Sequence, residues 1–338
     1  MSIKSENKQK ELFETDIERL VKADHPLRKL LKAVDFEELS CPLRFLWSDA
    51  GRGGYSPPQV LKILVLQFME DLSDRTLERH LEENNVAKYF CGFGLLDETP
   101  DHTSFTRMRS RVGLKRLADI FNRVRDSMKR AGIIREVFTF VDASSIKSRV
   151  DTWTARDKVL EEAQKSQDNE DPPSLNNTNM SQYSSDPDAR FGCKGKSKFW
   201  IGYKRNLSVD MSSGMINKVS ITRANVTDQK AVKDVLPNQG MVFGDKAYCL
   251  KEAQIAMKQH NCHSGAILKN NMKDKNFKKD AWLTSVRMPF EGTFATIPKV
   301  TRFRGLMKNK FSGVLQAFCF NLKRYIKITD VPLVLVQA

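Results

Sequence analysis

The stretch VFTFVD, residues 137–142, is a short β-prone apolar run that ends in the carboxylate of Asp142. Such a run is typical of a central strand that is buried on both faces of a sheet. The stretch VFGDK, residues 242–246, repeats the arrangement and places Asp245 just past a second apolar strand. If the two strands are paired or neighbouring in one sheet, both carboxylates lie within reach of one cation.

Each of these carboxylates needs a cation or hydrogen-bond donors, because burying a lone charge costs several kcal/mol. For Asp142 the alternative is a local role, in which the side chain caps the turn into Ser144 and Ser145. For Asp245 the alternative is an ion pair with Lys246, although adjacent residues on a strand point to opposite faces.

Glu291 is the third acidic candidate, and it follows Arg287 by four positions, so that the two side chains can share one face of a helix. The alternative is a surface Arg–Glu pair in the less favourable order. In such a helix Pro289 fits only near the start, and Pro298 should end it.

Three carboxylates provide hard oxygen ligands, which suit Mg²⁺ or Mn²⁺ far better than zinc. A pair of such ions can clamp the attacking and leaving oxygens in phosphodiester chemistry. The stretch GRGG, residues 51–54, lacks the ending of a nucleotide-binding loop, which argues against a hydrolase driven by ATP.

The chain of 338 residues has a formal net charge of +15, and residues 251–338 hold 16 Lys and Arg against 5 Asp and Glu. Such surfaces attract phosphate backbones through counterion release, although many basic proteins bind no nucleic acid. The apolar runs are too short to cross a bilayer, and the N-terminal residues lack the apolar stretch of a signal peptide. We therefore expect a cytoplasmic protein that has no membrane partner.

Two domains are expected, a helical one over residues 1–130 and a mixed α/β one over residues 131–338. Helices are expected over residues 12–21, after Ser56 and Ser73, after Thr103, and over Leu117–Ala131. The strands expected after Val137–Val141 are Phe199–Met211, Met215–Thr222 and Met241–Phe243. The helices expected in the same domain are Thr227–Leu236, Leu250–Gln259, a segment around Glu291, and Phe311–Ile328. Residues 151–190, with 9 acidic and 4 basic residues, predict a mobile polar insert.

Basic residues in both domains are candidate DNA contacts, with an ordinary solvated face as the alternative in each case. Trp200 and Tyr203 are candidate core aromatics, of which one could instead stack on a base. The basic candidates are Lys194, Lys196, Lys198, Lys204 and Arg205 around these aromatics, Arg302 and Arg304 beyond Glu291, and Arg107, Arg109, Arg111, Lys115 and Arg116 in the helical domain.

Several separated motifs are similar to those of the bacterial insertion-sequence transposases of the DDE class, insertion sequence five group. They are SPP at 56–58, DLSDRTLE at 71–78, PDHTSFTR at 100–107, VDAS at 141–144, KFWIGYK at 198–204, ANVTD at 224–228, GDKAY at 244–248, Arg287 with Glu291, FRGL at 303–306 and NLKR at 321–324. Each motif is weak alone, and their order and spacing together carry the resemblance.

The resemblance implies a ribonuclease H-like catalytic domain that holds two Mg²⁺ or Mn²⁺ ions through Asp142, Asp245 and Glu291. It also implies N-terminal helices that bind the terminal inverted repeats of a mobile element, a target DNA, a homo-oligomer on DNA, and a nucleoid-associated location. The last motif departs from the family pattern. Tyr three residues before Arg287 is replaced by Thr284, and Lys seven residues after Glu291 by Pro298, with Lys299 one step late.

The expected function is therefore a transposase that cleaves at the ends of its element and joins the 3′ ends to target DNA, with Arg287 and Lys299 as further DNA contacts. Two other interpretations of the function stay open. Thr284 and Pro298 are compatible with a degenerate DNA-binding protein without catalysis. The same acidic residues are also compatible with a metal-dependent nuclease that lacks strand transfer.

Overall fold

The structure is a computed structural model that describes residues 2–3, 17–47, 53–165, 174–195, 197–272 and 275–335. The chain forms two compact units, of which the first comprises Met1–Gly132 and Val314–Ala338 and the second comprises Ile133–Gly313. This division falls next to the predicted boundary at residue 130. Residues from Val314 onward, which were predicted within the second domain, instead join the first unit.

Contacts within the first unit explain this placement of the C-terminal residues. The thiol of Cys319 is buried and donates a hydrogen bond to the carbonyl oxygen of Val65 at 3.5 Å. Further along, the backbone N–H of Leu333 donates to the carbonyl oxygen of Ala33 at 2.8 Å. The chain therefore returns to the helical unit after it has completed the sheet.

The first unit is almost entirely helical. Its elements are β1 Ser2–Ile3, α1 Ile17–Leu20, α2 Pro26–Ala33, α3 Phe36–Leu39, a 3₁₀ helix Cys41–Leu46, β2 Gly53–Gly54, α4 Pro57–Met69, α5 Asp74–Glu83, α6 Asn85–Cys91 and α7 His102–Arg130. None of the described helices has the combined length and hydropathy that a membrane crossing requires. Of the helix predicted over residues 12–21, only the part from Ile17 lies in the described residues.

Side-chain caps fix where three of the predicted helices begin. Ser56 and Gln59 form a reciprocal capping box at the start of α4. Ser73 accepts the N–H of Thr76 at 3.1 Å to start α5, and Asp101 caps α7. Within α7 the backbone breaks at Gly113, with φ 68° and ψ 162°, so the two helices predicted on either side of residue 113 are confirmed.

The second unit is built on one mixed sheet. Its elements are β3 Phe138–Lys147, α8 Thr152–Lys165, α9 Met180–Tyr183, β4 Arg190–Lys194, β5 Lys198–Asp210, β6 Ile216–Arg223, α10 Asp228–Ala231, a 3₁₀ helix Val232–Asp234, β7 Gly240–Gly244, α11 Lys251–Gln259, β8 Cys262–Ala266 and α12 Phe277–Ala295. Helix α13, Leu306–Ile328, starts in this unit and ends in the first.

The sheet has an antiparallel half and a parallel half that meet at β3. On one side β3 pairs with β5 in antiparallel fashion, and β5 pairs with both β6 and β4. On the other side β3 pairs with β7 in parallel, and β7 pairs in parallel with β8. The first predicted strand is therefore the central one, and the strand that leads to Asp245 is its direct neighbour.

The predicted strands and the helix Leu250–Gln259 are confirmed, with shifts of a residue or two at their ends. The last helix starts five residues earlier than predicted, and the helix predicted over Thr227–Leu236 is a short α-helix followed by a 3₁₀ helix. Two strands, β4 and β8, were not predicted. The first strand is also longer than its apolar run, because β3 continues beyond Asp142 to Lys147 by pairing with β5. The turn that Asp142 was to cap, at Ser144 and Ser145, is therefore absent from the described fold of this segment.

The predicted polar insert, residues 151–190, is more regular than its composition suggests. It contains α8 and α9, and Ala155, Val159, Met180 and Ala189 are buried. Asp186 is fully buried and accepts hydrogen bonds from the Tyr203 hydroxyl, the Ser148 hydroxyl and the Gly305 N–H, at 2.7, 2.7 and 3.0 Å. Contacts to β5 and to the segment before α13 thus hold the described C-terminal part of the insert, and the mobility of the insert stays a prediction.

Gly240, the first residue of β7, gives a test of the strand pairing between β3 and β7. Gly240 has φ +96°, and an added Cβ would lie 2.0 Å from the carbonyl oxygen of Glu136. We expect Gly240→Ala to lower the free energy of unfolding by about 3 kcal/mol or more, measured by urea denaturation. Gly195→Ala is the matched control: its φ is +69° with nothing within 4 Å, so only about 1 kcal/mol of backbone strain is expected. Equal losses for the two variants would contradict the strand pairing.

Candidate active site

The register between β3 and β7 places Asp142 and Asp245 side by side. In this parallel pair Phe140 lies opposite Phe243. Asp142 and Asp245 each follow these partners by two residues. Neighbouring strands are about 4.8 Å apart, and the charge of Asp245 acts on Asp142, so the two carboxylates lie close together at this end of the two strands.

Helix α12 covers that side of the sheet. Phe140 packs edge-to-face against Phe294 of α12, with ring centroids 5.6 Å apart. Phe243 packs against Trp282, nearer the start of α12, with centroids 6.4 Å apart. Asp142 shares a face with Phe140 and therefore faces this helix. Asp245 lines a cavity together with residues of the same helix.

The environment of Asp142 disfavours its charge. The side chain is half-buried, and its Oδ1 accepts only the N–H of the next residue, Ala143, at 2.8 Å among the described hydrogen bonds. Loss of solvation, together with the nearby charge of Asp245, raises the pKa of Asp142 to about 6, against the opposing effects of the Ala143 N–H, Lys194 and Arg287. Two carboxylates that repel each other in this way would be stabilised by a shared cation.

Asp245 lies in the turn that follows β7. Its Oδ1 accepts the N–H of Ala247 at 2.8 Å, which holds the carboxylate at the end of the strand. Lys246, the partner in the alternative interpretation, extends instead to the side-chain oxygen of Asn270 at 3.2 Å. The side chain of Asp245 therefore remains directed by the turn rather than by Lys246.

Glu291 is placed differently from the two aspartates. Its Oε1 lies 3.3 Å from Nη2 of Arg287, and the Glu291 side chain is 52% exposed whereas that of Arg287 is 16% exposed. Arg287 is the α12 residue whose charge lowers the pKa of Asp142. Among the described residues, no three His, Cys, Asp or Glu side chains lie close enough together to hold a metal ion. The structure thus brings Asp142 and Asp245 together and leaves Glu291 in the Arg–Glu pair.

The prolines around Glu291 give one confirmed and one wrong expectation. The helix ends at Ala295, shortly before Pro298, as predicted. Pro289 lies inside α12 rather than near its start. Pro289 lies two residues before Glu291. Because proline has no N–H, the carbonyl oxygen of Ser285 has no helical donor.

A cavity of about 420 Å³ opens beside Asp245. Its lining combines aromatic, polar and basic side chains, which are Asp245, Lys246, Ile267, Lys275, Phe277, Asp280, Ala281, Thr284 and Arg287. The cavity beside Asp245 is thus lined by three cations, of which Lys275 lies 3.6 Å from the carboxylate of Asp280. Thr284, one of the departures from the family motif, lies on this wall and donates its hydroxyl to the carbonyl of Asp280 at 2.8 Å.

Two of the predicted DNA contacts have partners inside the chain. Lys204 binds the Asp228 carboxylate at 2.8 Å and the Val226 carbonyl at 3.0 Å, and its side chain is only 13% exposed. Arg109 holds both carboxylate oxygens of Asp74, at 2.8 and 2.6 Å. As DNA contacts these residues stay predictions, and either would first have to release its carboxylate.

Arg205, another predicted contact, is buried and donates to the carbonyl oxygen of Pro298 at 2.9 Å, so it is not accessible to DNA. Several of the remaining predicted contacts are exposed. Arg107 is exposed on α7 and donates to the Thr103 hydroxyl at 3.0 Å. Lys198, Lys299, Arg302 and Arg304 are also exposed. Arg302 and Arg304 flank half-buried Phe303 in a segment without helix. Lys196 lies outside the described residues.

Two further residues belong to this region: Lys194, which the sequence predicted only as a candidate DNA contact, and Asp188, to which the sequence did not point. Lys194 acts on Asp142 through its charge. Asp188 accepts the N–H of Leu306 at 2.9 Å and pairs with Arg223 at 2.6 Å, so it fixes the start of α13 close to Arg304. The signal for Asp188 was available, because its stretch DPDAR, residues 186–190, places two acids at the end of the insert.

The order of the strands, antiparallel through β6, β5 and β3 and parallel through β3, β7 and β8, defines a ribonuclease H-like domain of the DDE type, as the resemblance implied. Comparisons with known families agree with this class. Residues 15–111 match the family described as Transposase domain (DUF772), and residues 136–302 match the Transposase DDE domain. The two matches indicate that the chain is an insertion-sequence transposase of the DDE class.

One comparison with solved structures is weaker. The chain is similar, at 10% identity and a TM-score of 0.23, to a chain in "Crystal structure of a pre-cleavage Mos1 transpososome", with 82% of this chain and 80% of that chain covered. A TM-score this low carries no argument about function. Membership of the insertion sequence five group stays a prediction.

The pair formed by Arg109 and Asp74 can be tested against a role in DNA binding. Burial would raise the pKa of Asp74, but the hydrogen bonds and charge of Arg109 hold it below its ordinary value. The pair therefore stabilises the fold above about pH 4 and loses this effect as the pH falls through the lowered pKa. We expect Arg109→Ala to lower the free energy of unfolding by about 2 kcal/mol at pH 7 and by much less at the lowest pH at which the chain stays folded.

Arg107→Ala is the control for this prediction, because Arg107 is exposed on the same helix. It should leave the free energy of unfolding unchanged at both pH values and should weaken DNA binding. A loss for Arg109→Ala that does not depend on pH, or that matches the loss for Arg107→Ala, would contradict the structural role of Arg109.

Proposed function

We propose that this chain cleaves DNA at the ends of its mobile element and joins the 3′ ends to target DNA, with two divalent metal ions. The observation that carries the proposal is the placement of Asp142 and Asp245 on neighbouring parallel strands under α12. Adjacent half-buried carboxylates whose charges repel are the kind of oxygen donors that Mg²⁺ and Mn²⁺ prefer.

Asp142 and Asp245 would hold the metal, and Glu291 would complete the set after it leaves Arg287. The Glu291 side chain is 52% exposed and lies 3.3 Å from Arg287, so leaving this partly exposed pair costs only about 1 kcal/mol. The break in backbone hydrogen bonding at Pro289 also loosens the helix next to Glu291. When bound, the ions would activate a water or a 3′-hydroxyl and stabilise the departing oxygen.

The remaining residues would bind and orient the DNA. Arg287, once it is free of Glu291, presents a guanidinium beside Asp142, where it can hold a phosphate in a bidentate manner. Exposed Lys299, Arg302 and Arg304 follow α12 and continue the basic surface of the same unit. Lys246 and Lys275 line the cavity next to Asp245 and suit a phosphate there.

The proposed partners are the terminal inverted repeats, bound by the helical unit, and a target DNA. Exposed Arg107 on α7 supports a contact with the repeats. Recombination of two ends requires two copies of the active site, so a homo-oligomer on DNA, associated with the bacterial nucleoid, belongs to the same proposal.

A second candidate is a DNA-binding protein that has lost catalysis. The pair between Arg287 and Glu291 favours it, because this pair keeps the third carboxylate away from the other two. A metal-dependent nuclease without strand transfer uses the same residues and would differ only in its products.

Metal-dependent cleavage of donor DNA tests the proposal. We expect Asp142→Asn to reduce cleavage in Mg²⁺ by at least about a thousandfold, because it removes a carboxylate from both the metal site and the reaction. Asp157→Asn, at an exposed position on α8, is the control and should cleave normally. Undiminished cleavage by Asp142→Asn would refute the assignment.

The role of Glu291 separates the two main candidates. In a transposase, Glu291→Gln should lose cleavage and weaken Mn²⁺ binding measured by calorimetry, while binding to the terminal repeats stays intact, since Gln keeps the size of the side chain. In a degenerate DNA-binding protein, the natural chain would already bind the repeats without cleaving them, and the substitution would change neither property.

A further inference from the structure

Two ammonium groups meet on one amide oxygen beside Asp245. Oδ1 of Asn270 accepts a hydrogen bond from Nζ of Lys246 at 3.2 Å and a second one from Nζ of Lys275. Because a hydrogen bond of this kind is about 3 Å long, the two nitrogens lie no more than about 6.5 Å apart. Two positive charges at this separation repel each other, and one neutral amide oxygen compensates only part of the repulsion.

The position of Lys275 is fixed more firmly than that of Lys246. The Lys275 side chain is only 9% exposed, and its Nζ lies 3.6 Å from Oδ2 of Asp280 and 5.1 Å from the centroid of the Phe277 ring. Lys246 is exposed, and among the described residues its Nζ binds Asn270. Lys275 is thus held in place by its surroundings, and Asn270 is the contact that draws Lys246 towards it.

Both lysines line the cavity of about 420 Å³ that opens beside Asp245. The third cation of the lining is Arg287, and its two carboxylates are those of Asp245 and Asp280. Three cations against two carboxylates leave an excess of positive charge, which is concentrated at the two lysines that share one acceptor. An anion that enters this space would meet both of them.

A phosphate group has the size and the charge that this pair of lysines requires. One phosphate oxygen can accept a hydrogen bond from both ammonium groups, or two oxygens of one phosphate can accept one hydrogen bond each. Hydrogen bonds between an ammonium and a phosphate are charge-assisted and roughly twice as strong as neutral ones. One phosphate would therefore offset the repulsion that the amide oxygen leaves.

We propose that Asn270 is a positioning residue that gathers Lys246 and Lys275 around a single phosphate of the DNA substrate, beside Asp245. This inference rests on the proposed function and adds to it one residue, Asn270, and a ratio of one phosphate to two lysines. The phosphate has two possible sources with the same oxygens. It is the diester that neighbours the cleaved bond, or it is the 5′-phosphate that hydrolysis leaves on the flanking DNA while the element retains the 3′-hydroxyl.

The salt dependence of DNA binding tests the ratio, because it counts the phosphates that a protein neutralises. Binding of the full chain to a duplex that carries the end of the element is measured without divalent metal, so that no cleavage occurs. We expect Lys246→Ala combined with Lys275→Ala to reduce the slope of log K against log salt by about 0.9, the contribution of one phosphate. Lysines that bind two separate phosphates would reduce it by about 1.8.

Asn270→Ala tests the positioning role, because it leaves the net charge unchanged and replaces an exposed side chain. It should weaken binding at least about threefold through the loss of one organising contact. It should add no further loss to the variant that lacks both lysines, since the changes act on the same contact. Asn271→Ala, at an exposed position outside the cavity lining, is the matched control and should bind as the natural chain does.

Two further probes identify the source of the phosphate. Both duplexes are nicked at the cleavage position, one with a 5′-phosphate and the other with a 5′-hydroxyl at the nick. Tighter binding of the phosphorylated probe, lost in the variant without both lysines, would assign the terminal phosphate. Equal binding of the two probes, together with the expected change in slope, would assign the neighbouring diester.

Lys251→Ala combined with Lys258→Ala removes the same charge from exposed positions on α11 and should leave the slope unchanged. An equal loss of slope in this control would overturn the inference, as would an unchanged slope without Lys246 and Lys275 or full binding by Asn270→Ala. None of these outcomes involves a metal ion, so none bears on the carboxylates. A chain that shows the expected slopes but does not cleave in Mg²⁺ would support the phosphate site and contradict the proposed transposition chemistry.

Discussion

The parallel pairing of β3 with β7 is the constraint on which the rest of the site depends. It sets Phe140 opposite Phe243, and through that register it sets Asp142 beside Asp245. A shift by one residue would turn one carboxylate to the opposite face of the sheet. The packing of Phe294 and Trp282 against these two phenylalanines then holds α12 over the acids. Burial, charge repulsion and the position of Arg287 all follow from this pairing.

The parts of this arrangement that the sequence predicts are local ones. Two apolar runs that each end in an Asp predict two buried strands, because such runs have few other stable placements. Capping residues such as Ser56 and Ser73 likewise predict helix starts, since the hydrogen bond they make joins residues only three positions apart in the sequence. The adjacency of Asp142 and Asp245 followed from the assumption that the two strands are neighbours, and the sheet places them so.

Features that depend on distant partners were missed. The stretches RFGCK, residues 190–194, and CHSGA, residues 262–266, have too few apolar residues to predict strands, and they become strands by pairing with β5 and β7. The order of the insert comes from the acceptance of three hydrogen bonds by Asp186, each from a residue outside residues 151–190. The pairing of Glu291 with Arg287 is a choice of side-chain torsion that a spacing of four residues allows but does not determine.

The insert and the active face are connected through the backbone. Asp186 and Asp188 bind the N–H groups of Gly305 and Leu306, directly after exposed Arg304. The same insert leads into β4, whose last residue is Lys194. One segment therefore positions both Arg304 and Lys194, which gives a polar insert a physical reason to be ordered at its C-terminal end.

Direct location of a bound metal ion tests the central claim most sharply. Anomalous scattering from crystals of the chain grown with Mn²⁺ would give the position of each ion without reference to activity. The account predicts an ion bound by both Asp142 and Asp245, at oxygen distances of about 2.0–2.3 Å. An ordered chain in which Mn²⁺ binds elsewhere, with the two carboxylates turned away from each other, would contradict it.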